Sequence, residues 1–96
     1  MEQKDKPWVV NRDEAINRTC SAIYEEYKVT IDAFNQHIIA KCSKRKHEVV
    51  YKTDNETTCK DLHYFYMCLG YRIEIEEASA YKEGVEYIIY KLKLMW

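Results

Sequence analysis

Two stretches near the end of the chain alternate apolar and polar residues at the period of two that a half-buried strand requires. In the first, Tyr71, Ile73 and Ile75 share one face while Arg72, Glu74 and Glu76 share the other. In the second, Ile88, Tyr90, Leu92, Leu94 and Trp96 form an apolar row opposed by Tyr87, Ile89, Lys91 and Lys93. A connector from Ala78 to Gly84 predicts a hairpin, with Gly84 at positive φ. Antiparallel pairing sets the glutamates of the first strand against Lys91 and Lys93, so the outer surface matches opposite charges.

Earlier in the chain the period changes. Ile16, Cys20, Ile23, Tyr27, Ile31, Phe34, Ile38 and Cys42 recur at spacings of three and four, a stripe down one helical face. Asn11 with Glu14 three residues on is a capping signal for its start. One helix from Arg12 to Ser43 would be about 48 Å long, whereas a compact chain of this length is about 33 Å across. The stripe therefore overhangs unless the helix bends near Val29-Thr30 or the segment 1–10, an arm carrying Pro7 and Trp8, covers it. An overhanging stripe predicts a homo-oligomer joined through Ile16, Ile23 and Tyr27.

Between these regions, Glu48 to Lys52 has the β-branched and aromatic content of a short strand. Thr58 with Asp61 predicts a second capped helix from Cys59 to Leu69, where Leu62, Phe65, Tyr66 and Leu69 share one face and Gly70 closes the end. The expected fold is α+β in the order α-β-α-β-β: an arm at 1–10, then a single domain at 11–96 with both helices on one face of a three-stranded mixed sheet. A strand-helix-strand unit makes its two strands parallel. The last strand, being longest and most apolar, takes the middle, for a sheet order of first, third, second.

Composition narrows function mainly by exclusion. Lys plus Arg number 15 against 16 Asp plus Glu, so no overall field draws the chain to nucleic acid or acidic lipid, and neither sequence-specific nucleic-acid binding nor membrane association is expected. No apolar run has the length of a membrane span or signal peptide, which predicts a soluble intracellular protein with reduced cysteines. The two glycines both have structural uses, leaving none for a phosphate-cradling loop, and no Gly-x-Ser-x-Gly or His-Glu-x-x-His signature occurs. The expectation is a protein that is not an enzyme and needs no cofactor.

Two places hold binding chemistry. Lys41, Lys44, Arg45, Lys46 and His47 concentrate positive charge where the first helix ends, and the topology puts them at the same end as Gly70, Tyr71 and Trp96. These cations serve either to pair with the helix terminus or to receive phosphate or an acidic partner surface. At the opposite end, Thr57 and Thr58 lie at the second helix's N-terminus, a place for an anion, next to Tyr81 and Lys82. A zinc set of Cys42, His47, Cys59 and His63 is the metal alternative, although its spacing fits no common finger. The nine tyrosines and two tryptophans put some aromatic rings at an interface.

The run Leu69-Gly70-Tyr71-Arg72-Ile73-Glu74-Ile75, leading to Tyr90-Lys91-Leu92-Lys93-Leu94-Met95-Trp96, resembles small accessory proteins of tailed bacteriophages, which end in a helix, a Leu-Gly-Tyr step and a hairpin closing on Trp. The resemblance implies a protein acting early in infection, in the host cytoplasm, by binding and disabling a host factor. Two ligand classes follow. One is a nucleotide immune signal, captured by Lys/Arg for phosphate and Tyr/Trp for base stacking. The other is a host defence or regulatory protein, inhibited in the anti-CRISPR manner through an exposed edge strand or aromatic helix face.

Overall fold

The computed structural model describes residues 10–96; of the expected arm only Val10, which is exposed, falls within them. Six elements follow in chain order: α1 (Arg12–Glu26), α2 (Lys28–Ser43), β1 (Glu48–Thr53), α3 (Glu56–Cys68), β2 (Arg72–Lys82) and β3 (Val85–Met95). The Asn11 side chain accepts the Glu14 N–H at 2.9 Å and so starts α1 as its capping pattern requires.

The long helix is in fact two. Tyr27 takes φ −111° and ψ 27°, yet its N–H still donates to the Ile23 carbonyl at 2.9 Å and its carbonyl accepts from Ile31 N–H at 2.8 Å. The ladder bends there without ending. Side chains hold the bend: the Tyr27 hydroxyl donates to Asp61 of α3 at 2.9 Å, and the Tyr24 hydroxyl donates across the bend to Asp32 at 2.8 Å. A straight helix would leave Ile23 in water, whereas bending lays α1 on α3 and α2 and buries it.

The overhang expected of Ile16, Ile23 and Tyr27 is thereby corrected. Ile23 belongs to the chain's own core, Tyr27 packs half-buried against that core, and Ile16 is half-buried.

The sheet order is β1-β3-β2, with the last strand in the middle. Because β3 separates β1 from β2, every hydrogen-bonded pair is antiparallel, where a mixed sheet was expected. The crossover makes β1 and β2 parallel to each other, but they are not neighbours. On the inner face Leu94 lies between Val49 and Ile73, and Leu92 between Tyr51 and Ile75. Leu92 and Leu94 have no exposed surface; α3 packs on β3 while α2 packs on the neighbouring β1. Outside, Glu76 stands opposite Lys91 with an Nζ–Oε2 distance of 4.0 Å, and Lys93 reaches Glu48 at 3.6 Å. These pairs are solvated and contribute at most about 1 kcal/mol each.

Two boundaries differ from expectation. α3 begins at Glu56 instead of Cys59, because Asn55 and not Thr58 is the cap: its side chain accepts the Thr58 N–H at 3.0 Å. The connector from Ala78 is strand as far as Lys82, since pairing with β3 continues to Lys82 opposite Val85. The turn is only Glu83-Gly84, with φ of 55° and 80°, the two positive values that a two-residue type I′ hairpin needs. β1 stops at Thr53 opposite Tyr90, so residues 78–89 extend as a two-stranded ribbon past the three-stranded part.

At the centre of the core, Tyr66 has no exposed surface and donates its hydroxyl to Asn35 at 2.9 Å. Truncating Leu92, in the same core, to Ala is expected to cost about 2 to 5 kcal/mol in urea unfolding; a midpoint close to wild type would mean that the inner row faces solvent. Burial holds the Tyr66 phenol above its ordinary value of 10.0, so the folded chain keeps this proton when the unfolded chain loses it. The corresponding stability is complete below about pH 10 and falls as pH rises further. Tyr66→Phe is therefore expected to flatten the alkaline loss of stability, and an unchanged slope would refute that role.

Candidate ligand-binding cleft

Three chain ends converge at one end of the sheet. α2 stops in a Schellman arrangement built without glycine: Lys46 N–H donates to the Lys41 carbonyl and Arg45 N–H to the Cys42 carbonyl, both at 2.9 Å, with Arg45 at φ 59°. α3 stops in the same arrangement built with glycine. Gly70, at φ 96°, donates to Met67 at 3.0 Å, and Tyr71 N–H donates to Tyr66 at 3.2 Å. The end of β3 is fastened beside the first of these, where Trp96 N–H donates to the His47 carbonyl at 2.9 Å.

The result is an open cleft of about 300 Å³ lined by Ile38, Cys42, Leu69, Gly70, Tyr71 and Trp96. Its aromatic wall continues the core: the Tyr71 ring stands edge-on to Tyr66 at 5.6 Å and to Trp96 at 6.1 Å. Leu69 and Trp96 keep 60% and 39% of their surface exposed, so a ligand has apolar surface left to cover. The cations follow directly along the chain from this lining, Lys41 just before Cys42 and Lys44, Arg45, Lys46 and His47 just after it. Among the described residues none of the five is in an ion pair. They also complement the negative end of α2. An apolar aromatic wall with cations at one side suits a ligand that has a flat ring and a negative charge.

The grouping expected of Gly70, Tyr71 and Trp96 with the end of α2 is thus present. Ile38, Cys42 and Leu69 were not singled out for the site. Their signal was that Ile38 and Cys42 end the helical stripe, where the sheet no longer covers it, and Cys42 is exposed accordingly.

The other expected site does not form as an anion cradle. The Thr58 N–H is taken by Asn55, Glu56 occupies the first turn of α3, and its carboxylate accepts from the Tyr90 hydroxyl at 3.4 Å. Thr57 is exposed beside that carboxylate. Tyr81 donates its hydroxyl to Glu86 at 2.7 Å on the ribbon, and Lys82 shares a depression with Asp54, Tyr87, Ile88 and Tyr90. The protein's own carboxylates fill the place where an anion was expected.

The zinc set is not assembled either. Cys42 lies at the end of the molecule where α3 finishes, whereas Cys59 is buried near the start of α3. Burial, with Glu56 and Glu77 close by, pushes the Cys59 thiol up, away from the thiolate that a metal requires. No group of three or more metal-ligating side chains comes together among the described residues. Among them, too, no helix is long and apolar enough to cross a membrane.

No protein-family model, curated protein or solved structure matches this chain.

The left-handed conformation of Arg45 supplies a test of the cleft's frame. An L-residue there costs about 1 to 2 kcal/mol that glycine does not. Arg45→Gly is expected to raise unfolding stability by about 1 kcal/mol in urea, and a loss would show that the Arg45 side chain itself holds the loop.

Proposed function

We propose that this chain is a non-catalytic binding protein that captures a small anionic ligand bearing an aromatic ring, a nucleotide by chemical class, in the cleft at Trp96. The observation that carries this reading is an apolar cleft walled by Tyr71 and Trp96 at the end of α2, where Trp96 is hydrogen-bonded to His47 and the chain segment that holds Lys41, Lys44, Arg45 and Lys46 runs past the lining residue Cys42. Ring stacking contributes about 1 to 3 kcal/mol per base, and exposed cations add attraction that weakens with salt. Capture and not turnover fits a chain whose glycines serve a helix end and a hairpin turn. The likeness of its closing hairpin to accessory proteins of tailed bacteriophages supports a place in infection: a phage-encoded antagonist that sequesters a nucleotide immune signal in the host cytoplasm.

A second reading rests on a different observation. The free edge of β1 runs beside α2, and a groove of about 370 Å³ lined by Val29, Ala33, His37, Val49 and Tyr51 follows it. An extended segment of a host protein can add there as a fourth strand, which would make the chain a protein inhibitor.

Thermal shift with cyclic and ADP-ribose-derived nucleotides separates the two. Ligand at about a hundredfold over its Kd stabilises by about 2.7 kcal/mol, a rise of roughly 10 °C or more in a domain of this size. Replacing Lys44, Arg45 and Lys46 together by Gln is expected to leave the unliganded melting temperature nearly unchanged and to weaken binding about tenfold or more at physiological salt. No shift with any nucleotide, together with capture of one host protein that depends on the β1 edge, would replace the first reading with the second.

A further inference from the structure

β2 is an eleven-residue strand with one neighbour. Apart from β3, only α3 and no other helix approaches it among the described residues, and α3 does so across the inner face. Among the described residues no backbone group pairs with its outer edge. Two devices that blunt such an edge are missing: the strand has no proline, and its register with β3 runs from Arg72 to Lys82 without a bulge, so its charges, with Glu77 on the inner face, are what a partner strand must match. On the inner face Ile75 is 42% exposed and Tyr81 71% exposed. Neither Glu74 nor Lys82 has an ion-pair partner among the described residues.

We propose that β2 pairs antiparallel with β2 of a second copy of this chain about a twofold axis at Ala78, fusing two three-stranded sheets into one of six strands. A twofold axis normal to the sheet keeps the two inner faces on the same side, so only registers centred on a residue are permitted, and each residue meets the one equally far beyond the centre. Centred on Ala78, Glu74 meets the partner's Lys82 and Ile75 meets the partner's Tyr81. Glu76 meets Ala80, Glu77 meets Ser79, and symmetry repeats every pair.

No other centre does as well. At Glu76 or Glu77 a glutamate faces its own copy, and at Glu77 Arg72 also faces Lys82. At Ser79 an ion pair survives between Glu76 and Lys82, but Ile75 then faces Glu83 in the turn. At Ala80 only the last residues of the strand overlap. The register at Ala78 is the one in which opposite charges and the two exposed apolar side chains are matched together. It also lays the bare ribbon of each copy beside the helix-backed base of the other, where the Tyr81 ring covers the open side of Ile75.

Self-association is thereby placed on β2, away from α1 and independent of the cleft, because Trp96 and the ribbon lie at opposite ends of β3. The test is a charge exchange followed by sedimentation equilibrium across the micromolar range. Lys82→Glu sets glutamate against Glu74 twice, and Glu74→Lys sets lysine against Lys82 twice. Each is expected to weaken the dimer about tenfold or more, and the double exchange is expected to return its Kd to within about threefold of wild type. Lys82 stands opposite Val85 and has no ion-pair partner among the described residues, so Lys82→Glu leaves folding unchanged, as its melting curve at low concentration checks. A wild-type mass of 11.6 kDa throughout, single variants that dimerise like wild type, or a double exchange that fails to restore pairing would each overturn the proposal.

Discussion

One buried ring joins the parts of this molecule. Tyr66 lies with Phe34 of α2 at 5.0 Å, Phe65 of its own helix at 5.2 Å and Tyr71 at 5.6 Å, and its hydroxyl reaches Asn35 of α2. Tilted and edge-on contacts of this kind stabilise beyond the area they bury. They also fix direction: through Tyr71 the packing of the core continues to Trp96, so the back wall of the cleft is the outer end of the core. A ligand stacking there would meet rings already ordered and would bear little of the entropy cost of arranging them.

The abundance of tyrosine has the same origin. Four of the tyrosines supply both an apolar body for a small core and a hydroxyl that reaches across to another element. Tyr24 ties α1 to Asp32 of α2, Tyr27 ties the bend to Asp61 of α3, Tyr66 ties α3 to Asn35, and Tyr90 ties β3 to Glu56. Acceptors are Asp or Glu in three of these four contacts, which directs part of the chain's negative charge to fastening helices. Tyr81 and Tyr87, out on the ribbon, remain the two exposed tyrosines, and they are the ones left to the interface role that composition implied.

A net charge of −1 conceals a separation. Cations gather where α2 ends, and carboxylates gather along the edge strand β2 and at the start of α3. Glu56 at the first turn of α3 and Lys41 in the last turn of α2 each complement the local helix dipole. The same separation leaves one end of the molecule fit for an anion and the β2 edge able to match a copy of itself, because Glu74 and Lys82 sit symmetrically about Ala78.

By itself the sequence determined whatever depends on local period and local cap. Alternation along β2 and β3 decided which residues face the helices, placing Leu92 and Leu94 inside and Glu76 against Lys91, because a strand's side chains leave no other choice once one face is apolar. Gly70 closed α3 because few other residues accept its φ. Tertiary structure decided the break at Tyr27: the stripe keeps its spacing of three and four through the bend and the hydrogen bonds continue, so the periodicity does not mark it, and the bend rests on burying Ile23 and on a bond to Asp61, far along the chain. Ala78, Ser79 and Ala80 carry little strand propensity and became strand through their pairing with β3. The cleft belongs to the same class, since Ile38 and Cys42, Leu69 to Tyr71 and Trp96 lie in three separate segments that meet only after the crossover sets β3 between β1 and β2.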